Sequence, residues 1–272
     1  MGTIRPTAVA GAFYPGDAQI LAADVAALLA DADTHGGGSS PRPPKAIIVP
    51  HAGYIYSGPI AARIYARLAP LRGKIKRVIL IGPAHRVWIR GIALPDVTAF
   101  ASPLGNIDID IEAAKAITAL PQIIVRGDAH AHEHCLEVQL PFLQSVLGHF
   151  RLVPLVVGDA TAAEVAEVLD LLWSGDETLV VVSSDLSHYL NYRTAQAVDG
   201  ETARAIRALE PLLGHEQACG ATPINGLIEL AHRRQLEVEQ VDLRNSGDTA
   251  GDRGKVVGYG AFAFHESGAG HA

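Results

Sequence analysis

Cysteine is scarce in this chain of 272 residues, which contains only Cys135 and Cys219. Two cysteines exclude a disulfide-rich secreted scaffold, and we expect both to be free thiols. No apolar run approaches the roughly 18 residues that a membrane-spanning helix requires, and no signal peptide is visible at the N-terminus. We therefore expect a cytoplasmic protein with no membrane partner.

Charged residues are also sparse, since Asp, Glu, Lys and Arg make up 19% of the chain and the net charge is −7. There is no excess of basic residues to attract a nucleic acid, so we expect no nucleic-acid partner. Hydrophobic residues make up 49% of the chain, which is ample for a large core and argues against disorder. The composition predicts a folded protein with a mildly acidic surface.

Short apolar runs alternate with amphipathic stretches along the chain. Four of the runs predict strands, namely KAIIV (45–49), RVILIG (77–82), RLVPLVV (151–157) and TLVVVSS (178–184). Their continuous apolar character is typical of parallel strands covered on both faces. The alternation predicts an α/β fold, a three-layer α/β/α sandwich with a mostly parallel, mixed central sheet. We interpret the Gly- and Pro-rich stretch 34–44 as a surface loop, and residues 1–272 as a single domain.

Three histidines follow the ends of predicted strands. His51 follows KAIIVP, His85 follows RVILIGPA, and His188 follows TLVVVSSDLS, with Asp185 three residues before it. Parallel sheets bind ligands beyond the carboxyl ends of their strands. Neutral imidazole binds divalent Fe, Cu and Zn, so loops that meet at this edge could supply metal ligands. The alternative is chance placement among the twelve histidines of the chain.

A further ligand must come from elsewhere, and Cys219 in QACGATP is the best candidate. It precedes a predicted helix, whose unpaired N–H groups should lower the pKa of its thiol. The resulting thiolate is the form that a metal ion binds. The alternative is that Cys219 is a small buried hydrophobic residue.

The stretch DAHAHEHCLEVQLPFL (128–143) contains three alternating histidines, of which His134 is the last. Such a run is weak evidence for a metal site, and the alternative is a polar loop that leads into a helix. Glu133 and Glu137 lie one helical turn apart and could form hydrogen bonds with ligating imidazoles. We therefore place His134 and Glu137 beside the metal ligands rather than among them.

Several stretches of the chain, in order and nearly from end to end, resemble the Memo family, also called AmmeMemoRadiSam system protein B. They include IIVPHAGYIYSGPIAA (47–62), VILIGPAHR (78–86), AHEHCLEVQLPFLQ (131–144), VVSSDLSHY (181–189), CGATPINGLIELA (219–231) and GDRGKVVGYGAFAF (251–264). One local departure is Cys135, where the family pattern has serine. This departure adds a thiol near the histidines.

The resemblance implies a fold like that of the class III extradiol dioxygenases, which open catechol rings with Fe(II) held by two histidines and a glutamate. It implies that His51 and His85 are metal ligands and that Cys219 replaces the glutamate. It further implies that His188, near Asp185, corresponds to the acid/base histidine. Because a thiolate is softer than a carboxylate and more easily oxidised, ring cleavage does not follow from the fold alone.

Three functional hypotheses remain open at this point. The first is a metal-dependent redox enzyme of dioxygenase type, with Fe(II) or Cu, or alternatively Zn, and an unknown small-molecule substrate. His188 would move protons, and Asp185 would orient it or a bound water. The second is a metal-binding or partner-docking protein without turnover. The third is a metal-free thiol enzyme with Cys219 as nucleophile and His188 as base. The family's alternative name also implies a functional link to radical-SAM and AMMECR-type proteins.

Overall fold

Helices and strands alternate along the chain in the computed structural model, which describes residues 2–34, 42–210 and 214–267. The helices are α1 (Ala18–Thr34), α2 (Tyr54–Ala66), α3 (Ile111–Ile117), α4 (Gly127–Ala131), α5 (Leu140–Leu147), α6 (Ala162–Leu172), α7 (Tyr192–Arg207) and α8 (Ala221–Arg233). The strands are β1 (Ile4–Arg5), β2 (Ala46–Val49), β3 (Arg77–Pro83), β4 (Ile92–Leu94), β5 (Ala99–Phe100), β6 (Ile107–Asp108), β7 (Ile123–Val125), β8 (Arg151–Val157), β9 (Thr178–Ser183), β10 (His188–Leu190), β11 (Glu237–Asn245) and β12 (Val256–His265). The predicted loop at 34–44 falls largely outside the described residues.

A nine-stranded mixed sheet forms the centre of the fold. Its order is β10-β12-β2-β9-β3-β8-β4-β7, and β11 also pairs with β12. The four neighbouring strands β2, β9, β3 and β8 are parallel to one another. Antiparallel pairing begins on either side of them, where β12 pairs with β2 and β4 pairs with β8. The mixed sheet with a parallel centre is thereby confirmed, and a separate small sheet has the order β1-β5-β6.

Side chains along the central strands alternate between two hydrophobic cores. In β2, Ile47 and Val49 lie in one core and Ile48 lies in the other. Helices α1, α2 and α5 pack on the first core, and α3, α6, α7 and α8 pack on the second. Each fully buried Val or Ile contributes about 1.5–3 kcal/mol, so covering both faces stabilises the sheet strongly. The predicted three-layer α/β/α fold is confirmed.

The strands β2, β9 and β3 end at one common edge of the sheet. The register pairs Val49 of β2 with Ser183 of β9, and Ile81 of β3 with Val182 of β9. At this edge a Cβ atom on Gly82 would lie 2.7 Å from the Sγ atom of Cys135. Glycine therefore lets the chain around Cys135 pack closely against the end of β3. Within the described residues, no helix combines the length and apolar character needed to cross a membrane.

Candidate metal centre

Three imidazole rings meet beyond the common edge of β2, β9 and β3. The nitrogen atoms that His51, His85 and His134 can offer to a metal ion lie within 4.8 Å of one another. The ring centroids are 5.2 Å apart for His51 and His85, 5.4 Å for His51 and His134, and 4.6 Å for His85 and His134. Two of these residues follow strand ends, as predicted. His134, which the sequence placed beside the ligands, completes the group of three.

The thiol of Cys219 lies against this group. Its Sγ atom is 3.3 Å from Nε2 of His51. Cys219 lies in the loop that precedes α8. The structure therefore brings Cys219 together with His51, as the sequence predicted, although the two residues are 168 positions apart. The sulfur therefore contacts one of the three imidazoles, while the three imidazole nitrogens form the group that lies within 4.8 Å.

The hydrogen bonds of Ser183 fix which nitrogen of His51 carries a proton. The Ser183 hydroxyl donates its only proton to the Cys135 carbonyl at 2.7 Å and accepts from Gln139 Nε2 at 2.8 Å. The remaining lone pair of the hydroxyl faces Nδ1 of His51 at 3.0 Å, so Nδ1 must donate. Nε2 then carries the free lone pair, on the side of Cys219. Burial, followed by the nearby His85 and His134 rings, lowers the pKa of His51 well below 6.5 and keeps the ring neutral.

Glu133 performs the same task for His85 and also contacts His134. Its Oε1 accepts from His85 Nδ1 at 2.9 Å and from the His134 backbone N–H at 2.9 Å, and it lies 3.2 Å from His134 Nδ1. Its Oε2 accepts the backbone N–H of His85 at 2.6 Å. Because an ionised carboxylate only accepts, His85 donates through Nδ1 and keeps the Nε2 lone pair free. Burial acts to raise the pKa of Glu133, but hydrogen bonds from His134 and His85 outweigh it and hold the pKa well below its usual range.

These donors fit a transition-metal ion. A metal-ligating histidine usually donates its other ring N–H to a carboxylate or another acceptor, and Ser183 and Glu133 serve in this way for His51 and His85. Neutral imidazoles together with a thiol suit Fe, Cu or Zn and not Mg or Ca. The chemistry of the donor set therefore supports binding of Fe, Cu or Zn.

The expected lowering of the Cys219 pKa is wrong for the protein without metal. Burial, and then the charge of Asp185, raise the pKa of the Cys219 thiol to about 12. These two effects outweigh the N–H groups at the start of α8. A bound cation would reverse the balance, because a metal-ligating thiol is deprotonated outright.

Asp185 contacts two of the candidate ligand residues. Its Oδ1 accepts the backbone N–H of His51 at 2.7 Å, and its backbone carbonyl accepts the backbone N–H of Cys219 at 3.3 Å. Within the described part of the chain, its carboxylate receives no hydrogen bond from His188. Burial raises its pKa above the usual value. The structure thus places Asp185 where it holds the His51 and Cys219 loops together. Its role in orienting His188 or a bound water stays a prediction.

His188 lies at the wall of an open cavity outside the three imidazoles. The cavity has a volume of about 950 Å³, and His85 and Cys219 also line it. His188 begins the short strand β10, and the next residue, Tyr189, has a φ of 58°. A bulky residue in this left-handed region is strained, which is typical of functional sites. His188 is therefore separated from the imidazole group but faces the space in front of it.

Glu137 is the predicted site residue that the structure places elsewhere. It is fully buried, and its carboxylate accepts from Arg5, Tyr14 and two backbone N–H groups of the N-terminal segment. Among the described residues, no imidazole donates to it. Glu133, four residues earlier in the chain, takes that position. Glu137 instead fixes the segment that carries Phe13, whose ring lies 5.0 Å from the ring of His134.

A Glu133→Gln substitution should weaken metal binding by about 10- to 100-fold, because a neighbour that orients a ligating histidine contributes about this much. The amide would place a donor where the carboxylate now accepts from His85 and His134. A Zn²⁺ titration in competition with a chromophoric chelator measures the effect. Glu112→Gln, which changes an exposed glutamate on α3, is the matched control. Equal affinities for the two variants would contradict the role assigned to Glu133.

A family model described as Memo-like protein matches residues 5–263. A MEMO1 family protein of Aeropyrum pernix is 35% identical over an alignment of 277 positions. The alignment covers 95% of this chain and 98% of that protein. Another, from Aquifex aeolicus, is 34% identical over 278 residues, which cover 96% and 99% of the two chains.

Among solved structures, the uncharacterized protein JW3007 from Escherichia coli K12 superposes with a TM-score of 0.50. The match covers 80% of this chain and 98% of that one at 13% identity, so it shows a shared fold alone. The family match rests on the sequence instead, because the family model and both relatives extend over nearly the whole chain. The chain belongs to the Memo family of Memo-like proteins.

Proposed function

We propose that this protein binds a transition-metal ion through His51, His85 and His134, with Cys219 as a fourth ligand, and that the site carries out redox chemistry on a small molecule. The observation that supports this most directly is the convergence of three imidazoles within 4.8 Å, with the Cys219 sulfur 3.3 Å from one of them. His134 joins the ligand set that the sequence predicted. Iron or copper is the favoured metal for redox chemistry, and zinc also suits these donors.

Bound iron or copper would supply one-electron chemistry and Lewis-acid activation of an oxygen-containing group. The residues around the site have separate tasks. Ser183 and Glu133 accept from Nδ1 of His51 and His85, which leaves the Nε2 lone pairs of both rings free to bind a metal ion. Asp185 keeps the His51 and Cys219 loops in register.

His188 is the residue that we assign to proton transfer. It lines the same cavity as His85 and Cys219, so a substrate in the cavity would contact both the ligand group and this imidazole. It makes no hydrogen bond to the imidazole group within the described residues, and it therefore remains available to accept or donate a proton. A histidine suits this task because its ordinary pKa lies near neutral pH.

A metal-binding protein without turnover is the second candidate function. Four protein ligands would complete a tetrahedral shell, as in structural sites, whereas catalytic sites usually keep one position open. The presence of both His134 and Cys219 near the centre favours this candidate. The metal-free thiol enzyme is disfavoured, because the pKa of Cys219 is raised to about 12 and its thiol is protonated at neutral pH.

Elemental analysis and oxygen uptake together test the proposal. Untagged protein purified under anaerobic conditions should contain about one Fe or Cu ion per chain. It should consume oxygen with a catechol or a related reductant, and His188→Ala should keep the metal and lose most of the uptake. His232→Ala, which changes an exposed histidine on α8, is the control. Full metal content without uptake for any substrate would support the binding role, and absence of metal after reconstitution would contradict both candidates.

A further inference from the structure

One face of α7 forms the apolar wall of the cavity in front of the imidazole group. Thr194, Ala197 and Val198 line the cavity, and Glu201 follows on the same face, at the spacing of three and four residues that a helix requires. The opposite face of α7, which includes Ala203 and Ile206, is buried in the second core. The fold thus leaves a mostly apolar helical stripe facing the cavity. Leu190 of β10 extends this surface.

The charged side chains that line the cavity carry only one sign. They are Glu201 on α7 and Glu216 in the segment before Cys219, and no lysine or arginine lines the cavity among the residues that the structure describes. Arg204 lies outside the lining and is shared between Glu201 and Glu210, at 3.1 Å from each. One guanidinium cannot neutralise both Glu201 and Glu210. When only carboxylates, lysines and arginines are counted, the cavity therefore keeps a net negative charge.

We propose that this cavity binds molecules that combine a ring-sized apolar body with a positively charged group, and that it discriminates against anions. The proposal rests on the proposed function in taking the cavity as the approach to the metal site. The apolar body would lie on Val198 and Leu190, and the cationic group would lie near Glu201 or Glu216. With a volume of about 950 Å³, the cavity is within the size range of small-molecule sites.

A series of three probes that share one ring and differ in charge tests the proposal: benzylamine, benzyl alcohol and benzoate. Ligand-observed NMR on the full metal-free chain should give the order benzylamine, benzyl alcohol, benzoate from tightest to weakest, with about fivefold between the extremes. Metal-free protein is used first because a carboxylate could bind directly to a metal ion. The measurement is then repeated with Zn²⁺-loaded protein and the amine and alcohol alone.

The double variant Glu201→Gln/Glu216→Gln should remove the difference between amine and alcohol, whereas the control Glu112→Gln should keep it. Three outcomes would each overturn the proposal. Benzoate could bind as tightly as benzylamine, the double variant could keep the preference for benzylamine over benzyl alcohol, or no probe could bind. The metal content is measured separately, and the probes are first tested on metal-free protein. The order of probe affinities can therefore be interpreted even if the protein binds no metal. If benzyl alcohol binds more tightly than benzylamine to the Zn²⁺-loaded protein, the preference for a cationic group is overturned, whereas the proposed metal binding is not.

Discussion

A His134→Ala variant is expected to bind Fe²⁺, Cu⁺ or Zn²⁺ roughly 100-fold more weakly than the unaltered chain, or more weakly still. Loss of a neighbour that only orients a ligand costs about 10- to 100-fold, and loss of a ligand should reach at least the upper end of that range. His134 contributes one of the three imidazoles whose nitrogens lie within 4.8 Å. Isothermal titration of the metal-free protein with Zn²⁺ measures the change without redox side reactions.

His132→Ala is the matched control, because His132 lies two residues earlier in the same segment and its side chain is exposed. Its removal should leave Zn²⁺ affinity unchanged. Urea unfolding of both metal-free variants separates lost binding from lost folding. If His134→Ala binds Zn²⁺ as tightly as His132→Ala does, then the imidazole group does not form the metal site, and His51, His85 and Cys219 would have to hold the ion alone.

A Glu137→Gln variant is expected to lose about 3–5 kcal/mol of unfolding free energy, because breaking a buried ion pair on one side leaves an uncompensated charge. Glu137 is fully buried, and its carboxylate accepts from Arg5 Nη1 at 2.6 Å and from the Tyr14 hydroxyl at 2.6 Å. It also accepts the backbone N–H groups of Ala8 and Val9 at 2.7 and 2.9 Å. An amide cannot accept from all four donors, so buried donors would be left without partners.

Urea denaturation with circular dichroism measures this loss. Glu112→Gln, which removes an exposed pair with Lys115, should change the unfolding free energy by no more than about 1 kcal/mol. A Glu137→Gln protein as stable as the Glu112→Gln control would show that the buried pair does not anchor the N-terminal segment.

The fold was predictable because the strand signals are local. Continuous apolar runs such as RLVPLVV and TLVVVSS coincide with β8 and β9, and the alternation with helices predicts the parallel centre. The proximity of His51 and His85 was predictable for the same reason, since both residues follow strands that end at one edge of the sheet. Cys219 lies at the same place because its helix starts there.

The positions of His134 and Glu133 were not predictable from local pattern. Their segment follows α4 and precedes α5, and no central strand ends there. It reaches the imidazole group through long-range contacts, such as the hydrogen bond from Arg5 to the backbone carbonyl of Glu133. The alternating histidines signalled this position, but spacing alone could not distinguish a ligand from a neighbour. The choice between Glu133 and Glu137 likewise depends on which carboxylate the N-terminal segment covers.

The close approach of Gly82 and Cys135 restricts how the sequence can drift. A methyl group at position 82 would lie 2.7 Å from the Cys135 sulfur and 3.2 Å from Leu136, so a larger residue at one position requires a smaller one at the other. Serine at position 135 would relieve the crowding, because oxygen is smaller than sulfur. A side chain at position 82 would therefore displace this segment from the strand end, from which His85 is only three residues away.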